Sequence, residues 1–201
     1  MTAWGIGLGD ARHERLAEAL RRYGLWDHLT PEQRRAAASD VARGQYPFDF
    51  ELLYQQVEFF ADGETLAEGG VERFLREIAP VVERHGVRLS VESVPTDESE
   101  YAVLINGVRL TVRQDAEAAE PDPWTQATVR PLAVLNDLLA AAGASPVRAH
   151  VLYPGGNDTL LLLLDPRAVA AMRASGLFPE HELPALAVTL PSVNRPARPA
   201  R

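Results

Sequence analysis

The side chains able to do chemistry in this chain are 28 carboxylates, 20 arginines and five histidines, in a sequence without a single cysteine or lysine. Without cysteine there is no disulfide, thiol nucleophile, thiolate zinc site or iron–sulfur cluster. The composition suits a reducing compartment, so a cytoplasmic location is expected. Without lysine neither a Schiff base nor a Walker-type phosphate loop can form, since both need an ammonium group. The histidines (His13, His28, His85, His150, His181) are scattered, with no HExxH and no pair four residues apart, so no metal and no cofactor is expected. His85, beside Gly86, reads as a helix C-terminal residue favoured by the dipole, and His150, alternating with Arg148, as a surface residue of a strand. No GxSxG surrounds any serine, and no spacing selects one pair of carboxylates as acid and base. A non-enzymatic protein is the expectation.

Two glycine-rich segments invite comparison with anion cradles. Gly5-Ile6-Gly7-Leu8-Gly9 has only four residues before it, too few for the strand a dinucleotide fingerprint needs, and reads as an N-terminal arm. Pro154-Gly155-Gly156-Asn157-Asp158 reads as a tight connection between two strands, displaying Asn157 and Asp158 at a loop tip; binding an anion through its backbone N–H groups is the other use of such a loop.

Charge is more informative than any motif. The formal net charge of −8 argues against a nucleic-acid binder, which needs a basic footprint. Residues 92–122 hold eight acids against only Arg109 and Arg113. Two clusters stand out, Asp97-Glu98-Glu100 and Asp115-Glu117-Glu120-Asp122. They flank the hairpin sequence around Asn106-Gly107, and because the outer ends of a hairpin lie side by side, the clusters are expected at one end of a sheet. Such a concentration of like charge steers a basic partner; two solvated loops kept soluble by their charge are the plainer reading. Tyr101 and Trp124 border the clusters and would supply aromatic anchors, although a tryptophan in a first helical turn is expected to turn inward.

These residues are positioned by a chain of 201 residues, long enough to bury its own core as one domain or two small ones. Four helices are expected in residues 1–86. Asp10 caps the first; Thr30-Pro31-Glu32-Gln33 opens the second; Asp49 caps a third with a face of Phe50, Leu53, Val57 and Phe60. The fourth runs from Val71 to Gly86 and is kinked or shortened at Pro80. At Val87 the apolar period changes from helical to alternating. Strands are expected at 87–91, 101–105 and 108–112, the last two joined by a type I′ turn, with Val108, Leu110 and Val112 facing the core. Asp122-Pro123 starts a helix ending at Gly143, with a kink or break at Pro131. Strands at 147–153 and 159–164, apolar on both faces, are expected in the middle of a sheet. Asp165-Pro166 opens a short helix ending at Gly176, and 186–190 adds an edge strand or packs as a loop. The result is α+β: a helical part (1–86) packed on a mainly antiparallel sheet of about five strands with two further helices (87–190), then a flexible tail (191–201). No apolar run approaches the ~20 residues of a membrane span, and the first residues lack the basic start of a signal peptide.

The hairpin YAVLINGVRLTV, the helix WTQATVRPLAVLNDLLAAAG and the strand–turn–strand VLYPGGNDTLLLLL, together residues 101–164, resemble small bacterial immunity-type proteins encoded beside polymorphic or contact-dependent toxins. The resemblance implies a cytoplasmic, non-enzymatic protein that blocks a toxin by tight binding, and an acidic face would suit a basic toxin domain such as a nuclease. It carries over no functional residue. The expected function is therefore binding of a basic protein partner through an acidic face. The alternative is a small-molecule-binding domain or enzyme with a pocket between the helical part and the sheet.

Overall fold

The computed structural model describes residues 10–44, 58–96, 100–114 and 122–188. Helix starts follow the capping residues. Asp10 accepts from the N–H groups of Arg12 and His13 ahead of α1 (Ala11–Arg22), and Thr30 and Gln33 form a reciprocal capping box on α2 (Pro31–Ala42). A short helical turn and a π-helical turn (Leu66–Gly70) lead into α3 (Val71–Glu83). Asp122 caps α4 (Pro123–Ala142) and Asp165 caps α5 (Pro166–Ser175); Gly143 and Gly176 end these two helices in the left-handed conformation. Both internal prolines are tolerated without a break. Pro80 deprives only the carbonyl of Arg76 of a partner, on an exposed residue, and α4 runs unbroken through Pro131 where two shorter helices were an option.

Among the described residues there are seven strands in two antiparallel sheets, not five in one. β1 (Glu58–Phe60), β5 (Arg148–Leu152), β6 (Leu160–Leu164) and β7 (Ala185–Leu186) form one sheet in the order β1-β6-β5-β7. β2 (Val91–Val94), β3 (Glu100–Ile105) and β4 (Val108–Gln114) form the other in sequence order. β5 and β6 are the inner strands, as their two apolar faces require, and β7 is the edge strand anticipated near Leu186.

Three local expectations are corrected. The third expected helix lies outside the described residues as far as Val57, and its end is strand: Glu58–Phe60 pairs with β6, and Phe60 is exposed. The all-leucine β6 needs a hydrogen-bonded neighbour on each side, and β1 supplies one. Val87 to Ser90 alternates in burial as expected, but ladder pairing begins only at Val91, which faces Ile105. In the β3–β4 hairpin Asn106 and Gly107 both have positive φ, at 50° and 79°, as a type I′ turn demands. Val108, next to that turn, is exposed, however, because the core reaches only Val112 and, in part, Leu110.

The leucines of β6 explain the layering. Leu161 and Leu163 join one hydrophobic core with Ala149 and Val151; Leu162 and Leu164 join a second with Leu152. Side chains alternate across a strand, so the four-stranded sheet has a core on each face. The first core is filled by α3, α4 and the inner side chains of the three-stranded sheet; the second by α1, α5 and the loop carrying Trp26. Residue 86 does not separate the cores, since each draws on chain from both sides of it.

Candidate functional site

Glu100 pairs with Gln114 at the open end of β3–β4. Asp97, Glu98, Asp115, Glu117 and Glu120 lie outside the described residues.

The other two acids are already engaged. Glu100 receives both guanidinium nitrogens of Arg109 at 3.0 Å and the Thr111 hydroxyl at 2.9 Å, a bidentate clamp across the hairpin. Hydrogen bonding and charge from Glu100 in turn raise the pKa of Arg109. Asp122 accepts from the N–H groups of Trp124 and Thr125 at 3.0 Å and from the Thr125 hydroxyl at 2.7 Å. Burial opposes its ionisation, but the hydrogen bonds from Thr125 and Trp124 outweigh it and hold the carboxyl below its ordinary range. Of the bordering aromatics, Tyr101 is tied inward: its ring packs on the first core and its hydroxyl accepts from the Val71 N–H at 3.2 Å. Trp124, expected to turn inward, is 37% exposed.

The loop Pro154–Asp158 lies against this helix start. A Cβ on Gly155 would overlap the Thr125 hydroxyl, and Gly155 has φ of 85°, so two independent constraints keep this position glycine. Thr159 ties the loop from beneath, its single hydroxyl proton shared between the carbonyls of Tyr153 (2.7 Å) and Gly156 (2.8 Å). The preceding residue in the turn, Tyr153, has φ of 55°, unusual for a bulky side chain, and is exposed. Nothing in the sequence singled out Tyr153; a tyrosine at a strand end reads as a core residue.

Among the described residues no three His, Cys, Asp or Glu side chains are grouped to hold a metal. Two expectations for the histidines are corrected. His150 is 2% exposed, enclosed between β6, β7 and the helical layer, with its Nδ1 3.0 Å from the Arg148 carbonyl. His85 is half-buried just past the end of α3, with Nδ1 3.1 Å from the Ser145 hydroxyl, and its burial opposes the charge that a helix C-terminus favours. Burial lowers the pKa of both; for His150 the hydrogen bond to Arg148 and the charge of Asp165 oppose this, and for His85 the neighbouring Arg84 reinforces it.

These directions set a pH dependence. A histidine unfolds to its ordinary pKa near 6.5, while the folded ring protonates only at lower pH. Below pH 6.5 the unfolded chain therefore binds more protons, and stability falls as pH falls by up to about 1.4 kcal/mol per pH unit for a fully buried ring. The urea midpoint of the wild type is expected to be lower at pH 5.0 than at pH 7.5, with a smaller difference for His150→Gln. Equal wild-type midpoints would contradict a neutral buried ring.

One cleft, of about 260 Å³, opens between the loop after α1, the end of α3 and the adjoining ends of β5 and β6. Tyr23, His28, Arg84, His85 and Asp165 are among its lining residues. Burial holds His28 below its ordinary pKa, and the hydrogen bonds from Arg167 outweigh burial to hold Asp165 below its own.

No family model, curated protein or solved structure matches the chain.

Proposed function

We propose that this is a non-enzymatic binding protein of the immunity type, acting in the cytoplasm, which neutralises a basic protein such as a toxin domain through the acidic end of its three-stranded sheet. The observation that carries this reading is the pairing of Glu100 with Gln114. These two residues stand side by side, and the sequence next to them, residues 97–99 and 115–121, contains Asp97, Glu98, Asp115, Glu117 and Glu120 with no arginine. Five carboxylates lie within six residues of that pair in sequence, and negative charge so concentrated steers a basic partner and raises its association rate. Glu100 and Asp122 support the site as structural residues, one bracing the hairpin and the other starting α4.

Charge reversal restricted to Asp97→Lys and Glu98→Lys is expected to slow association of a basic protein captured from the native lysate by about tenfold at low salt, while the melting midpoint stays unchanged. Wild-type association is expected to slow as salt is raised. An association rate equal to wild type in the reversed variant would remove these acids from the interface.

The cleft beside His28 and His85 supports a second reading, a small-ligand site between the helical part and the sheet. Its volume is modest for that role, below the roughly 300 Å³ at which ligand pockets usually begin. A small anion that raised the melting midpoint of the wild type but not of His85→Gln would move the assignment there.

A further inference from the structure

All the aromatic residues among the exposed large hydrophobics of the described chain, Phe60 (65% exposed), Trp124 (37%) and Tyr153 (43%), come from segments that meet at one end of the four-stranded sheet. Phe60 pairs with Leu160, the first residue of β6, and the next residue, Ala61, donates to the Thr159 carbonyl at 2.8 Å. Gly63 donates to the Gly156 carbonyl at 3.1 Å, and a Cβ on Gly63 would stand 3.0 Å from that of Trp124. Thr159 in turn holds the carbonyl of Tyr153. Trp124 and Tyr153 thus flank the loop Pro154–Asp158, from the start of α4 and from the β5–β6 connection, whereas Phe60, in register with Leu160, faces the second-core side of the sheet.

Exposed aromatics are costly to leave in water and are enriched where proteins meet, so their confinement to one end of a sheet marks a contact surface. The flanking charge states what would cover it. The segments 58–64, 122–125 and 153–159 contain Glu58, Asp62, Glu64, Asp122 and Asp158 and no arginine. Aromatic faces next to carboxylates bind guanidinium groups, by cation–π attraction and by charge-assisted hydrogen bonds. We propose that Trp124 and Tyr153 form the aromatic anchor on which an arginine-bearing surface of the basic partner docks. The proposal rests on the docking reading above and adds a second contact: the acids beside the hairpin govern approach, and the aromatic end governs how long the complex lasts.

Tyr153 allows a test that stability alone cannot imitate. A left-handed backbone suits asparagine better than tyrosine, so Tyr153→Asn removes the ring while keeping or improving the local conformation. The cation-exchange-retained fraction of the native lysate is passed at low salt over immobilised full-length wild type, Trp124→Ala, Tyr153→Asn and the Asp97→Lys/Glu98→Lys variant. Dissociation of whatever the wild type retains is then timed on each surface. The expected result is at least tenfold faster dissociation from Trp124→Ala and from Tyr153→Asn, with the melting midpoint of Tyr153→Asn equal to or above that of wild type. Wild-type dissociation from both aromatic variants, with retention weakened only by the charge reversal, overturns the aromatic anchor and leaves the hairpin reading standing. Faster dissociation from the aromatic variants with no effect of charge reversal keeps the anchor and removes the acids beside the hairpin. A wild-type surface that retains no protein overturns both.

Discussion

Trp26→Ala is expected to lower the unfolding free energy by about 3–5 kcal/mol, the range for deleting a large aromatic side chain from a packed interior. Trp26 has no exposed surface, and it sits in the second core with Leu16, Leu20 and Leu162, where it joins the loop after α1 to the four-stranded sheet. The indole N–H finds no acceptor among the described residues, so part of the burial is opposed by a stranded donor. Trp26→Phe removes that donor together with some volume, and the two effects offset. Its expected cost is about 1 kcal/mol or less. Urea unfolding of both variants checks the pair: a phenylalanine variant as damaged as the alanine variant would mean that the N–H has a partner after all.

Asn136→Leu is expected to cost about 2–4 kcal/mol although it keeps the side-chain volume, because two buried backbone groups lose their partners. Asn136 lies in the middle of α4 at 8% exposure. Its Oδ1 accepts from the Ala149 N–H at 2.6 Å, and its Nδ2 donates to the carbonyls of Ala149 at 2.9 Å and Ala187 at 2.8 Å. The amide relays the bond between β5 and the chain leaving β7, and so fastens a two-residue edge strand that would otherwise have little to hold it. Hydrogen exchange at the Ala187 amide, which donates to the Ala149 carbonyl at 3.1 Å, is expected to accelerate in this variant well beyond the change in global stability. Exchange unchanged at Ala187 would place the fastening of β7 elsewhere.

These two positions show where reading the sequence reaches its limit. Thr30-Pro31, Asp122-Pro123, Asp165-Pro166 and Asn106-Gly107 act through their immediate neighbours, and the elements they announce are where expected. Asn136 looks like an ordinary polar residue of a helix, since its three partners are 13 and 51 residues away. His150 reads as a surface residue because it alternates with Arg148, and only the packing of helices on the second face of the sheet buries it. The pairing of β3 with β4 was legible from Asn106-Gly107, but the engagement of Glu100 by Arg109, nine residues on and across the hairpin, was not. Trp124 was legible as an anchor, but its neighbourhood with Tyr153 was not, because the two are 29 residues apart and are brought together only by the loop that packs on the start of α4.

The sequence by itself determined the helix starts, the type I′ turn, the central place of two apolar strands, the excess of acid around the hairpin and the absence of thiol and ammonium chemistry. Each is either a matter of composition or a preference expressed within a few residues. Only the tertiary structure decided that the strands divide into two sheets, that residues 58–60 extend one of them, which carboxylates are engaged within the fold, and which rings remain in water. Those outcomes depend on which faces find a partner, and a face is covered by whatever distant segment packs on it.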